Sequence, residues 1–281
     1  MSLLLMQVAV IWPVGAGLGI YRTNDKKELE FLLVRDPYQK QSWRKGFEFP
    51  AGTIGDYGHQ AVDQLDGAKI DQLPEIEKKR MTVKSFLRGA IREALEELVF
   101  VPAMTIIPGH PYCRGKIDKN FELNAIDTIA ERIAQRELVC LRYIQDRINY
   151  TIFFWDVSNL SSERWLPQMQ SQRETLLIKW ASKVSAIGAE PDSFAWVSAK
   201  ELQAVIAQAQ KDRSMNRTQS NYCVTASELM PSRGSLQRNV PIKLSSAFVG
   251  LIRRPAQYTS HRPDEKILNM SEIICRLRKN N

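Results

Sequence analysis

The chain of 281 residues has no run approaching the roughly 20 apolar residues that a bilayer-spanning helix needs, so it is not expected in a membrane. Histidine is scarce: His59, His110 and His261 are the only three, at no spacing that marks a metal centre. Cysteine is scarce too, and Cys113, Cys140, Cys223 and Cys275 include no C-x-x-C pair. That argues against a zinc knuckle and a disulfide framework alike, and makes a reducing cytoplasm the expected compartment. The apolar start, Ser2 to Trp12, lacks a basic n-region and a clear cleavage site. It reads as a first strand rather than a signal peptide.

Net charge is missing from most of the chain. Residues 1–210 carry 26 basic and 26 acidic side chains, whereas residues 211–281 carry 13 and 5, so the whole formal charge of +8 belongs to the C-terminal part. Pro231, Pro241, Pro255 and Pro263 interrupt that part, which reads as a partly ordered basic extension with short helices at 243–253 and 269–278. It is either a solvated wrap on the domain or a surface for nucleic acid or another anionic partner. Few aromatics (Tyr222, Phe248, Tyr258) interleave with the basic residues, which gives single-strand stacking little support.

What is present centres on residues 92–98, Arg-Glu-Ala-Leu-Glu-Glu-Leu. In a helix, Glu93, Glu96 and Glu97 stand at i, i+3 and i+4 and project from one face. Like charges that close do nothing for the helix itself and call for a cation. Hard divalent ions such as Mg²⁺ or Mn²⁺ take such oxygen ligands. The helix is expected from Thr82 as N-cap to about Leu98, with Leu87, Ala90, Ile91, Ala94, Leu95 and Leu98 spaced to pack on a sheet. Upstream stands Gly46-Phe-Glu-Phe-Pro-Ala-Gly52, and downstream Trp196-Val-Ser-Ala-Lys-Glu-Leu202.

These three segments, in this order, resemble the Nudix hydrolase family. Arg92, Glu93, Glu96 and Glu97 match its signature, G-x5-E-x7-R-E-U-x-E-E-x-G-U with U a bulky apolar residue. Glu48-Phe-Pro-Ala-Gly52 is similar to the Glu-x-Pro-Ala-Gly segment frequent in ADP-ribose and nucleotide-sugar pyrophosphatases, and Trp196 to Leu202 to a segment that often closes the domain. The signature is split, with about 26 extra residues between Gly52 and Arg92. Lys84 stands where the first glutamate belongs, Ala94 is small for its position, and Val99 replaces the late glycine. A valine there implies a differently shaped exit from the helix, since glycine relieves a left-handed turn.

The pattern along the chain gives a mixed α/β domain over 1–210, with insertions at about 53–81 and 159–189, followed by the basic extension 211–281. Strands are expected at 7–12, 16–22, 30–35, 46–54 and 150–157, and helices at 121–136, 173–184 and 197–210. The resemblance implies a Nudix-like α+β fold, a mixed sheet sandwiched between helices. It further implies hydrolysis of a phosphoanhydride in a nucleoside diphosphate linked to another moiety, with a nucleotide as the small-molecule substrate.

On that resemblance, Glu93, Glu96 and Glu97, with the carbonyl of Ala51 or Gly52, hold Mg²⁺ or Mn²⁺, and Arg92 orients the glutamates. Glu93 is the first candidate base, and Glu190 or Asp192 the later-loop alternative. Glu48, Ala51, Gly52 and Trp43 are the substrate-side candidates; Phe47, Tyr57 and His59 are more simply read as packing or loop residues. Pairing as a homodimer is common in such enzymes. Two other functions stay open: a pyrophosphatase acting on RNA 5′ ends through the basic extension, and a Nudix-like ligand sensor without catalysis.

Overall fold

The computed structural model describes residues 14–37, 45–53, 87–136, 139–145, 148–180, 190–215, 221–254, 257–259 and 262–279. The first half contains β1 (Val14–Thr23), β2 (Leu29–Arg35), β3 (Ala51–Thr53), helix α1 (87–97), α2 (Val101–Met104), β4 (Tyr112–Cys113), β5 (Lys116–Ile117) and α3 (Lys119–Ala134). The second half contains β6 (Cys140–Gln145), β7 (Ile148–Asp156), α4 (Trp165–Trp180), β8 (Ser193–Ser198), α5 (Ala199–Ser214), β9 (Cys223–Met230), β10 (Gln237–Lys243), α6 (Ser246–Ile252), β11 (Gln257–Thr259), β12 (Arg262–Ile267) and α7 (Met270–Lys279).

Successive strand residues point to opposite faces, and here both faces are apolar. In β2, Leu32 and Val34 enter one apolar layer and Phe31 and Leu33 the other. In β7, Phe153 and Trp155 are set against Ile152 and Phe154; in β8, Phe194 and Trp196 against Ala195 and Val197. A sheet buried on both sides needs a helical layer on each. Helices α1, α3 and α4 cover the first face, and α5, α6 and α7 the second. The strands run in the order β10-β9-β8-β2-β1-β7-β6, with β3 also paired to β1. β1 and β7 are parallel and the other pairs antiparallel, so the sheet is mixed, as the family resemblance implied.

Gly15, Gly17 and Gly19 of β1 face Tyr150, Ile152 and Phe154 across the parallel pairing. A Cβ on Gly17 would come within 2.5 Å of the Ala51 Cβ and 2.8 Å of the Pro50 carbonyl oxygen. The bare backbone of β1 is therefore what lets the Pro50–Gly52 strand end close on the sheet.

Several expectations change. The helix expected from Arg173 begins at Trp165, because Trp165, Leu166 and Met169 bury completely and Pro167 falls in a first turn that tolerates it. Residues 46–50 are not strand throughout: Phe47 and Glu48 make isolated bridges, and ladder pairing starts at Ala51. The exit of α1 keeps the left-handed shape a glycine would supply, with Val99 at φ 46° and Phe100 at φ 59°. Burial of both side chains offsets a local cost of about 1–2 kcal/mol per residue. The expected strand at 7–12, the N-cap Thr82 and Lys84 lie outside the described residues, as does nearly all of 53–81.

Residues 211–281 contribute more than the short helices expected of them. β9 and β10 extend the sheet past β8, and Phe248, Val249, Ile252, Met270, Ile273, Ile274 and Leu277 share an apolar layer with α5. Charges and prolines hide this in the sequence, but Pro241 sits on the edge strand β10, where a missing N–H is tolerated. Arg22 of β1 fastens the same junction. It donates to Glu30 and Glu228 at 2.9 Å each and lies 4.2 Å from the centre of the Trp196 ring.

Substituting Ile274→Ala, in a side chain that is fully buried, is expected to cost about 2–5 kcal/mol. Urea unfolding of the full chain measures this; a loss below about 0.5 kcal/mol would mean that α7 does not share the core.

Candidate active site

The segment after Gly46 is tied to two strands. Glu48 exchanges backbone hydrogen bonds with Val34 at 2.9 and 3.0 Å, and Leu18 N–H donates to the Pro50 carbonyl at 2.9 Å. This brings Ala51 and Gly52 under α1, whose apolar stripe (Leu87, Ala90, Ile91, Ala94, Leu95 and Leu98) is buried on the sheet.

Two contacts seat the carboxylate-bearing helix on the strand end. The Ala51 N–H donates to Glu97 Oε2 at 3.0 Å. The Glu93 carboxylate lies over Gly52 so closely that a Cβ on Gly52 would overlap it. Arg92, 1% exposed, donates to Glu93 Oε1 at 2.6 Å and to Glu96 Oε2 at 3.3 Å. A buried guanidinium needs such partners, and its fork holds two carboxylates apart at fixed angles.

The electrostatics define a wider acidic group. The Glu97 carboxyl is pushed well above its ordinary range, first by desolvation, then by Glu93 and Glu48, against the Ala51 hydrogen bond; Glu190 adds to the push. Glu190 is itself pushed up to about 7, mainly by desolvation, with Asp36 and Glu93 adding repulsion. Glu96 is pushed up to about 8 by desolvation, opposed by Arg92 and reinforced by Glu93 and Glu122.

Glu97 therefore feels Glu48, Glu93 and Glu190, and Glu96 feels Glu93 and, on the α3 side, Glu122, which is fully buried and pairs with Lys119 at 2.6 Å. Asp192, the other late-loop candidate, accepts from Arg35 at 3.2 and 3.3 Å and is engaged there. Phe47 is core, His110 bonds locally to Tyr112, and Trp43, Tyr57, His59 and His261 lie outside the described residues.

Among the described residues, no three Asp, Glu, His or Cys side chains stand ready as a ligand set. Arg92 takes oxygens of Glu93 and Glu96, and the Ala51 amide takes one of Glu97. The donor chemistry nonetheless fits a hard divalent cation. Every donor is oxygen, Glu96 Oε1 is buried with no hydrogen-bond partner, and carboxylate repulsion contributes to the shifts of Glu96, Glu97 and Glu190. A cation would relieve that repulsion.

Ser245 was not legible as a site residue. Its hydroxyl donates to Glu48 Oε2 at 2.8 Å and accepts from Phe248 N–H at 3.0 Å as the N-cap of α6. Phe47 N–H donates to the Lys243 carbonyl and Ser245 N–H to the Phe47 carbonyl, at 2.9 and 3.1 Å. Gly46, at φ +143°, brings its Cα against the Leu244 and Ser245 backbone, where a Cβ would come within 2.6 Å. The cap could be read from Ser-Ser-Ala-Phe; a partner 197 residues away could not.

The chain matches no protein-family model and no curated protein sequence. Among solved structures it is similar to the crystal structure of a NUDIX hydrolase from Alicyclobacillus acidocaldarius, over 62% of this chain and 95% of that one, with 14% identity and a TM-score of 0.29. A likeness that loose carries no argument about function.

An acid whose folded pKa is raised stabilises the fold fully below its unfolded value, and that contribution is lost as pH rises through the folded one. For Glu96 the window runs from about 4.5 to about 8. With chelator present, Glu96→Gln is expected to raise the unfolding midpoint at pH 8.5 and to change it little at pH 5, relative to wild type. Parallel shifts at both pH values would show that burial of this carboxyl is not what matters.

Proposed function

We propose that this chain is a Mg²⁺- or Mn²⁺-dependent pyrophosphohydrolase of the Nudix type. Its substrate would be a nucleoside diphosphate linked to another moiety, of the ADP-ribose or nucleotide-sugar class. The observation that carries the reading is the seating of the three-glutamate helix face on the Pro50-Ala51-Gly52 strand end, by the Ala51–Glu97 hydrogen bond and the Gly52–Glu93 contact. Two signature segments, with Gly52 and Arg92 standing 40 positions apart in the chain, meet there.

In this reading Glu93, Glu96, Glu97 and the Ala51 carbonyl would hold the cation. A bound Mg²⁺ supplies neutralisation of the diphosphate charge and activation of water. Arg92 fixes Glu93 and Glu96 by its buried fork, so they need little reorganisation when substrate arrives. Water attacks phosphorus: a new P–O bond forms, the bridging P–O bond of the anhydride breaks, and the leaving phosphate departs with the electron pair.

Glu190 accepts the proton. Its carboxyl, pushed up to about 7, titrates in the range that suits a general base near neutral pH. Glu93 is less free for that task, since Arg92 holds Oε1 at 2.6 Å. Glu48, fixed by Ser245, keeps an acidic wall beside Glu97, and the Glu-Phe-Pro-Ala-Gly form of this segment is what favours ADP-ribose-like substrates. Gly52 and Trp43 complete the substrate side of the proposal.

A panel of ADP-ribose, nucleotide sugars, NADH, dinucleoside polyphosphates and capped RNA, assayed with Mg²⁺ or Mn²⁺, tests the reading. Turnover of an ADP-ribose-like member is expected to fall by about a hundredfold or more in Glu97→Gln. In Glu190→Gln, kcat is expected to fall with KM little changed, and the rise of kcat as pH passes about 7 is expected to disappear. Turnover without a divalent ion, or undiminished in Glu97→Gln, would overturn it.

A further inference from the structure

We infer that a second site, at the opposite end of the sheet from the carboxylates, binds an oligophosphate chain. A cleft of about 890 Å³ opens where the β1–β2 hairpin (Thr23, Lys27, Glu28, Leu29) meets the start of α5 (Ser198, Lys200, Gln203) and the end of α7 (Arg278). Strand register fixes its place. Thr23 pairs with Leu29 and Glu30 with Ser198 at this end, whereas Gly17 pairs with Ala51 and Arg35 with Ser193 at the other. Thr23 lies six positions along β1 from Gly17, roughly 20 Å of strand.

Among the described residues three cations line the cleft against one carboxylate, Glu28, which accepts from Asn24 at 3.5 Å. Among the described residues Lys27, Lys200 and Arg278 form no ion pair, and the Arg278 guanidinium is held at 3.2 Å by the neutral Gln203 Oε1, which orients the charge without cancelling it. Thr23, Ser198 and Gln203 add neutral hydrogen-bonding groups. The positive end of α5, a helix of 16 residues, starts at the cleft.

The volume exceeds what a single phosphate fills and suits a small-molecule ligand. Among the described residues no aromatic ring lines the cleft, so they supply no stacking platform of the kind that single-stranded nucleic acid uses. A short chain of phosphates meets both conditions, whether it arrives free or on a nucleotide.

Calorimetric titration of tripolyphosphate into the full chain tests the site, at low ionic strength and with chelator present so that no divalent ion takes part. One saturable site per chain is expected, weakened about tenfold or more by Lys200→Glu with Arg278→Glu. Glu97→Gln, and Lys211→Glu with Arg213→Glu at the other end of α5, are expected to leave it unchanged; should the first double variant fail to fold, Lys200→Ala and Arg278→Ala singly replace it.

Tighter binding of a nucleoside triphosphate than of tripolyphosphate supports the site with a nucleotide as the source, and equal binding supports it with the free chain. No saturable binding would overturn the inference. So would equal weakening by the Lys211/Arg213 reversals, which marks diffuse charge, or clear preference for single-stranded RNA over either phosphate ligand.

Discussion

Glu97 is repelled by Glu93, Glu48 and Glu190, and Glu190 by Glu93, across a space that solvent only partly reaches, and much of the surrounding structure holds these carboxylates there against that repulsion. For Glu97 and Glu190, desolvation and like charge both favour protonation, or a cation, over the free carboxylate. Arg92 meets part of the demand from below, within the helix. The Ala51 amide meets another part from the strand end. Glycine at positions 17 and 52 makes room, since a side chain at either would push the strand end or the Glu93 carboxylate out of place. The packing of α1 on the sheet is thus coupled to the chemistry of its opposite face.

The C-terminal part belongs to the same arrangement. Ser245 reaches Glu48, the 243–245 backbone braces Phe47, and the Phe248 ring packs on Phe49 with centroids 4.9 Å apart. A segment carrying the entire net charge of +8 is also the segment that steadies an acidic strand end. Its described basic side chains are exposed or half-exposed while its apolar residues join the layer under α5, so charge and support divide within one stretch of chain.

Local pattern made much of this readable in the sequence, and distance in the chain hid the rest. The apolar strands expected at 30–35 and 150–157, the amphipathic helix expected at 121–136 and the glutamates of 92–98 all follow from composition or a helical period within a single element. Trp165 to Gln170 went unread as helix because Pro167 looks like a breaker and is harmless in a first turn. β10 went unread because Arg238 and Pro241 mask its alternation, and an edge strand tolerates both. Val99 looked like a reshaped helix exit, yet burial holds it in glycine's conformation. In the candidate site, the glutamates and Arg92 were visible. Ser245, Glu122 and the engagement of Asp192 by Arg35 depend on contacts that only the fold creates.

The central claim is that the 93/96/97 face and the Ala51–Gly52 strand end together make a divalent-cation site. Titration of Mn²⁺ into the full chain, followed by electron paramagnetic resonance, tests it without substrate or turnover. Wild type is expected to bind Mn²⁺ saturably. Glu97→Gln is expected to lose most of that affinity, and Gly52→Ala to lose affinity while unfolding close to the wild-type midpoint, because only the flexible Glu93 side chain must move. Wild-type protein that takes up no Mn²⁺, or Glu97→Gln that binds it as wild type does, would contradict the account.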